Sequence, residues 1–156
     1  MEDLSLHILD IVENSIRAGA KTVEIRISED LKRDVLEIEI RDDGRGMDAS
    51  TVEKAADPFF TTKSVRKVGL GLSLFEAAAR RAEGEFCLSS RPGEGTTVGA
   101  TFQHSHIDRQ PLSDMGKTLM ILMIANPEVH FRFLHRKDGH EYQVDSKQLT
   151  NSSVDE

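Results

Sequence analysis

A chain of 156 residues has room for one domain with one core and a small appendage. With 38% hydrophobic and 30% charged residues it suits a folded globular protein, and a formal net charge of −7 argues against broad electrostatic binding to nucleic acid or to an anionic membrane. The single cysteine, Cys87, excludes an internal disulfide and fits a reducing cytoplasm, while residues 1–4 carry no secretory pattern and no apolar run approaches the ~20 residues of a membrane span. Neither nucleic acid nor membrane is therefore expected as a partner.

Residues 4–18 have the spacing of an amphipathic helix, closed by Gly19. Leu4, Ile8, Ile11, Val12 and Ile16 share its apolar face. His7, Asp10, Asn14 and Arg17 form a narrow polar stripe, which is either a solvated face or the wall of a site. Val23, Ile25 and Ile27 alternate with polar residues, as do Leu36, Ile38 and Ile40. The polar connection 29–34 between them predicts an antiparallel hairpin. Its second strand delivers Asp42-Asp43-Gly44-Arg45-Gly46-Met47. Two glycines beside a carboxylate make a tight turn that a flat ligand can approach, although Asp and Gly are also ordinary turn residues. A short helix is expected over residues 49–56.

Residues 57–68 are expected to form a loop, since Pro58 breaks any preceding helix. Phe59 and Phe60 either anchor it to the core or belong to a lid whose Lys63, Arg66 and Lys67 face phosphate charge. Gly69-Leu70-Gly71-Leu72 is expected to open a helix running to about residue 82, where free N–H groups would make an anion site. Residues 85–90 and 97–102 are predicted strands joined by the turn 91–95, with Cys87 a structural residue of the first. His104-Ser105-His106-Ile107-Asp108 resembles a metal-ligand run only in passing, as no second cluster completes a site. A helix over residues 113–125 carries the continuous apolar run Leu119-Met120-Ile121-Leu122-Met123-Ile124, so more than one of its faces is apolar and self-association as a homodimer is expected. Strands over 129–134 and 141–145 flank the hairpin signal Lys137-Asp138-Gly139. The expected organisation is a domain over 1–107, a helix-plus-hairpin extension over 108–146 and a polar tail over 147–156.

These pieces, in this order, resemble the GHKL superfamily of DNA gyrase, chaperone, histidine kinase and mismatch-repair MutL ATPases. The resemblance covers residues 4–102. Leu9-Asp10-Ile11-Val12-Glu13-Asn14-Ser15-Ile16-Arg17-Ala18-Gly19-Ala20 is most similar to the MutL asparagine box. Asp57-Pro58-Phe59-Phe60-Thr61-Thr62-Lys63 with Gly69-Leu70-Gly71-Leu72 is most similar to histidine kinase catalytic domains, and Gly93-Glu94-Gly95-Thr96 to the family's last box. The resemblance implies an α/β (α+β) two-layer sandwich, the Bergerat fold, with a mostly antiparallel sheet and helices on one face. It implies ATP or ADP as ligand with Mg²⁺ held by Asn14. Asp42 would accept from the adenine amine and Thr96 would support it. Gly44 and Gly46 would let the backbone pass the base, and Met47 would pack on it. Gly69 and Gly71, within Gly69-Leu70-Gly71-Leu72, would give N–H groups to the phosphates, with Arg17 and Lys63 as phosphate-side cations. Asp10 stands where hydrolytic members carry a glutamate general base, one methylene shorter.

Two functions follow from the resemblance. One is a stand-alone cytoplasmic histidine kinase-like protein that hydrolyses ATP or passes its γ-phosphate to a partner protein. No acceptor-histidine hairpin is expected ahead of residue 4, and residues 103–156 are too few for the second domain of MutL or gyrase. The other is an ATP-gated regulatory module without phosphotransfer.

Overall fold

Strict alternation of apolar and polar side chains builds one sheet, and in the computed structural model, which describes residues 3–55, 63–112 and 114–148, that sheet has six strands. The chain runs α1 (Leu4–Arg17), β1 (Thr22–Asp30), β2 (Val35–Asp42), α2 (Ala49–Ala55), α3 (Lys63–Arg81), β3 (Phe86–Arg91), β4 (Gly95–Gln103), α4 (Met115–Ala125), β5 (His130–Lys137) and β6 (His140–Asp145). The strand order is β3-β4-β2-β1-β5-β6. Every neighbouring pair is antiparallel except β1 and β5, which run parallel, with Val23 opposite Phe131 and Ile25 opposite Phe133.

One face of the sheet is apolar and carries the helices. Val23, Ile25 and Ile27 of β1, Leu36, Ile38 and Ile40 of β2 and Phe102 of β4 are buried there in one cluster with Leu4, Ile8 and Ile11 of α1, Phe75 of α3 and Leu122 of α4. The other face is polar. Arg41, Glu24, Arg132 and Asp145 lie side by side in register across four strands, so unlike charges alternate. Arg132 meets Glu24 at 3.0 Å and Arg136 meets Glu141 at 2.9 Å. This face satisfies itself and needs no covering layer. Exposed Cys87 of β3 lies opposite Gly99.

Local signals set most boundaries. Asp3 caps α1 by accepting from the Ser5 N–H at 2.8 Å, and Gly19 at φ +80° ends it, with the Gly19 N–H donating to Ile16 O and the Ala20 N–H to Ser15 O. Asp114 caps α4 through the Lys117 N–H at 3.0 Å. The boundary expected at Gly69 is corrected: α3 starts at Lys63, six residues earlier. Pro58 forbids helix only up to its own position, residues 63–68 contain no breaker, and an interior glycine costs only about 1 kcal/mol against alanine. Residues 56–62, including Phe59, Phe60 and most of the expected lid, lie outside the described residues, as do 149–156 of the expected tail.

The far end of the sheet is tied by histidines. Glu29 of β1 accepts from His104, just beyond β4, at 2.9 Å, and from His135 of β5 at 2.7 Å. His104 thereby serves as a structural partner, and His106 accepts from the Asp108 N–H. Burial alone would push the Glu29 carboxyl up; the hydrogen bonds from His104 and His135, with the nearby charges of His135 and Lys137, outweigh it and hold the carboxyl below its usual range.

A group whose folded-state pKa is depressed stabilises the fold above its unfolded pKa and loses that contribution as pH falls through the folded value. Glu29→Gln should destabilise the protein at pH 7 by about 1.5–3 kcal/mol, the range for hydrogen bonds to a charged group. In urea titrations the gap between wild type and variant should narrow as the pH is taken below about 4.5, the ordinary glutamate value. An equal gap at pH 7 and pH 3 would rule the carboxylate out as the tie.

Candidate functional site

The polar stripe of α1 does not face open solvent along its length. His7, at 4% exposure, is part of the core: its Nε2 pairs with Gln110 Oε1 at 2.9 Å and its ring lies against Phe75. Asp10 and Arg17 are exposed and Asn14 is half-buried. Arg17 Nη1 donates to Asn14 Oδ1 at 3.3 Å. Among the described residues the Asp10 carboxylate has no hydrogen-bond or ion-pair partner, neither His7 nor Arg17 included. Helix α3 crosses α1 at this stripe, and Gly71 is the crossing point. A methyl group there would stand 3.8 Å from Asn14 Nδ2 and 3.9 Å from Asp10 Cβ. Asp10, Asn14 and Gly71 are thus immediate neighbours.

The turn after β2 is the second half of the site. Asp42 stands on the helix-covered face of the sheet, in line with Ile38 and Ile40. Its Oδ2 accepts from Ser15 Oγ at 2.6 Å and its Oδ1 from the Gly44 N–H at 2.8 Å. A carboxylate has about four acceptor positions, so two remain for a ligand. Ser15 follows Asn14 directly, so α1 positions the amide and anchors the aspartate with consecutive residues.

Two glycines let this turn close on the β3–β4 turn. Gly46 has φ +71°, and a Cβ on it would sit 1.9 Å from Arg91 O; Gly95 has φ +110°, and a Cβ on it would sit 2.0 Å from Asp42 O. Hydrogen bonds complete the join. The Gly93 N–H donates to Arg45 O at 2.6 Å, and the Met47 N–H donates to Ser90 Oγ at 2.8 Å. Ser90 Oγ also pairs with Thr96 Oγ1 at 2.8 Å, and Thr96 lies opposite Asp42 in the β2–β4 register. On the α1 side, the Arg45 N–H donates to Ala18 O at 2.9 Å and its guanidinium to Arg17 O at 2.6 Å. Met47 packs against the core beside this network.

The structure therefore brings Asp10, Asn14, Arg17 and Gly71 together, and separately Asp42, Gly44, Gly46, Met47 and Thr96, with Ser15 linking the two groups. Leu72 is a core residue at 3% exposure. Lys63, Gly69 and Leu70 lie within α3, so the glycine N–H groups are inside a helix rather than at its start. Ser15 and Ser90 went unassigned in the sequence. Ser15 is visible there only as the neighbour of Asn14, and Ser90 has no local signal because its partners come from two turns. A groove of about 330 Å³ lies at the turn, lined by Asp42, Ser90 and Thr96 together with open-face residues such as Thr22, Glu24, Arg41 and Thr97. Among the described residues no cluster of three or more His, Cys, Asp or Glu side chains is placed to hold a metal ion.

Residues 2–106 match the family described as histidine kinase-, DNA gyrase B-, and HSP90-like ATPase. The chain belongs to the GHKL ATPase family. Sensor and histidine kinases are among its sequence relatives. The chain is 39% identical over 106 residues to the sensor protein kinase FleS of Pseudomonas aeruginosa, covering 68% of this chain and 26% of FleS. It is 37% identical over 91 residues to the signal transduction histidine-protein kinase AtoS of Escherichia coli, covering 58% of this chain and 15% of AtoS. The chain thus spans about a quarter or less of these relatives. In fold, the Aquifex aeolicus MutL ATPase domain complexed with ADP matches with a TM-score of 0.55 at 19% identity, covering 93% of this chain and 63% of that one. The N-terminal domain of a DNA repair protein matches with a TM-score of 0.59 at 21% identity, covering 92% of this chain and 52% of that one. These likenesses cover more than nine-tenths of this chain, and the sheet with its helical layer is the GHKL Bergerat fold. Family membership supports ATP as ligand.

Ser15→Ala removes the side-chain donor that fixes Asp42. A hydrogen bond to a charged group is worth about 1.5–3 kcal/mol, so ATP affinity should fall roughly ten- to hundredfold while the circular dichroism spectrum stays unchanged. Calorimetric titration reads the loss directly, and undiminished affinity would show that Gly44 alone orients Asp42.

Proposed function

We propose that this GHKL domain is a cytoplasmic histidine kinase-like protein that binds Mg-ATP and either hydrolyses it or transfers its γ-phosphate to a partner protein. The observation that carries the reading is the placement of Asp10 and Asn14 one turn apart on α1, both against Gly71, with Ser15 tying the same helix to Asp42. Adenine recognition falls to Asp42, which keeps two acceptor positions for a ligand. Gly44 and Gly46 keep that wall free of side chains, Met47 supplies an apolar surface, and Thr96 holds the turn's register through Ser90.

Asn14 is the proposed magnesium ligand. A single amide oxygen suits Mg²⁺, which keeps several waters and binds substrate phosphates in place of an all-protein cage. The ion would neutralise triphosphate charge there. Arg17 now spends its guanidinium on Asn14, at an exposed site where exchanging that bond for a phosphate is cheap. Gly71 keeps the stripe open where a side chain would otherwise stand. Lys63, Gly69 and Leu70 are proposed to line the phosphate site from α3, with Leu72 as that helix's anchor in the core. Residues 108–146 are proposed as an extension integral to the domain 1–107, since β5 hydrogen-bonds directly to β1.

Asp10 is the proposed general base. A positioned base is worth about 10²–10⁴-fold in rate. Asp10→Asn should abolish phosphate release or transfer from γ-labelled ATP and leave ATP affinity within a few-fold. Asp10→Glu should keep or raise turnover. Asp42→Asn should weaken binding itself. The short reach of Asp10 favours the second reading, an ATP-gated regulatory module. Equal phosphate release by wild type and Asp10→Asn, with tight ATP binding by both, would select that reading. Chelating magnesium should weaken ATP binding in wild type and leave Asn14→Ala little changed, which isolates the metal ligand from the base.

A further inference from the structure

Helix α4 is apolar on opposite sides. Met115, Leu119 and Leu122 are buried in the core. Half a turn away, Met120, Ile121 and Ile124 are 62%, 51% and 75% exposed. With Lys117 they occupy positions i, i+3, i+4 and i+7, a continuous seam along two turns. A helix that is apolar all round belongs in an interior, and this one has only one side in an interior. We propose that the second seam is an interface with another copy of this chain, formed by α4 packing antiparallel on its twofold mate.

Three properties of the helix select that occupant. The first is charge. Lys117 stands at the N-terminal end of the seam, and a parallel pairing would set the two Lys117 ammonium groups together. An antiparallel pairing centred on Ile121 sets Lys117 of one copy beside Ala125 of the other, at the helix C-terminus. The carbonyls there carry partial negative charge, and no basic residue of its own turn serves them. The second is symmetry: a seam with its apolar residues at the centre and a cation at one end is self-complementary about a twofold. The third is area. At on the order of 100 Å² each, the three side chains give about 300 Å² per copy and about 600 Å² for the pair; since roughly 60% of an interface is non-polar, this is the core of a contact of about 1,000 Å², the lower bound for a specific one. The dimer is therefore reversible and forms in the micromolar range or above. It lies on a different helix from Asp10 and Asn14, so it stands whether or not the chain hydrolyses ATP.

Sedimentation equilibrium of the full chain from about 1 μM to about 1 mM tests it. The weight-average mass should climb from 17.4 kDa towards twice that value. Ile124→Glu should raise the dissociation constant at least tenfold, with its melting temperature showing that it folds. Ile121→Cys in a Cys87→Ser background should cross-link to a dimer under mild oxidation, because the two copies of position 121 meet on the axis. Should Ile124→Glu fail to fold, Met120→Lys and the cross-link decide. A constant mass of 17.4 kDa overturns the proposal, and if that monomer floats with zwitterionic vesicles the seam belongs to a lipid surface. A dimer that Ile124→Glu and Met120→Lys leave intact places the interface elsewhere and overturns it equally.

Discussion

The bond between Ser15 and Asp42 is the constraint on which the site depends. It is short, half-buried, and joins two elements that the sheet and the helical layer hold apart. A carboxylate on a turn would otherwise rotate freely, and a freely rotating acceptor recognises nothing in particular. Here one oxygen is taken by a helix and the other by the turn's own backbone. What remains is a fixed pair of lone-pair directions. Because Ser15 and Asn14 are adjacent, the same rigid rod sets the distance between the Asp42 turn and the Asn14 side chain. Rigid elements position functional groups better than loops do, and this site is built on a helix, a strand end and a helix crossing.

Much of the fold was legible because its physics is local. Alternation in β1 and β2 needs only period two, the α1 boundaries follow from Asp3 and Gly19, and the hairpins carry their own turn residues. That Asn14 shares a helix stripe with Asp10, and that Asp42, Gly44 and Gly46 share one tight turn, was legible from their spacing. The rest depends on contacts between distant segments. Nothing near Ser15 or Ser90 announces that a turn will close on it. His7 looked like part of a functional stripe, but the side chain that claims it, Gln110, comes from beyond the sheet. The start of α3 was missed because two glycines suggest a helix start wherever they occur, while residues 63–68 are tolerant of helix. At this crossing Gly71 instead faces Asn14 and Asp10 of α1.

The polar face and the apolar face of the sheet illustrate two ways of living with exposure. On the open face, charges of opposite sign alternate across neighbouring strands, so no large field of one sign develops despite the net charge of −7. On α4 there is no such compensation, since the apolar stripe is flanked by few charges. Isolated surface pairs such as Arg136 with Glu141 add little stability individually.

The parallel pairing of β1 with β5 has a consequence for how the chain folds. Glu29 and His135 are 106 residues apart, and the ladder between their strands is equally remote in sequence. Contacts of that separation form late, because loop-closure entropy must be met before they return anything. During synthesis β1 and β2 emerge early and can zip as a hairpin, but the outer flank of β1 stays bare until β5 arrives. That flank presents unpaired N–H and C=O groups next to Val23, Ile25 and Ile27, the composition from which strands pair with the wrong neighbour. The charges of Glu24 and Arg26 on the strand's other side act as gatekeepers over that interval. The C-terminal hairpin is therefore also the closing strand that retires the chain's most aggregation-prone edge.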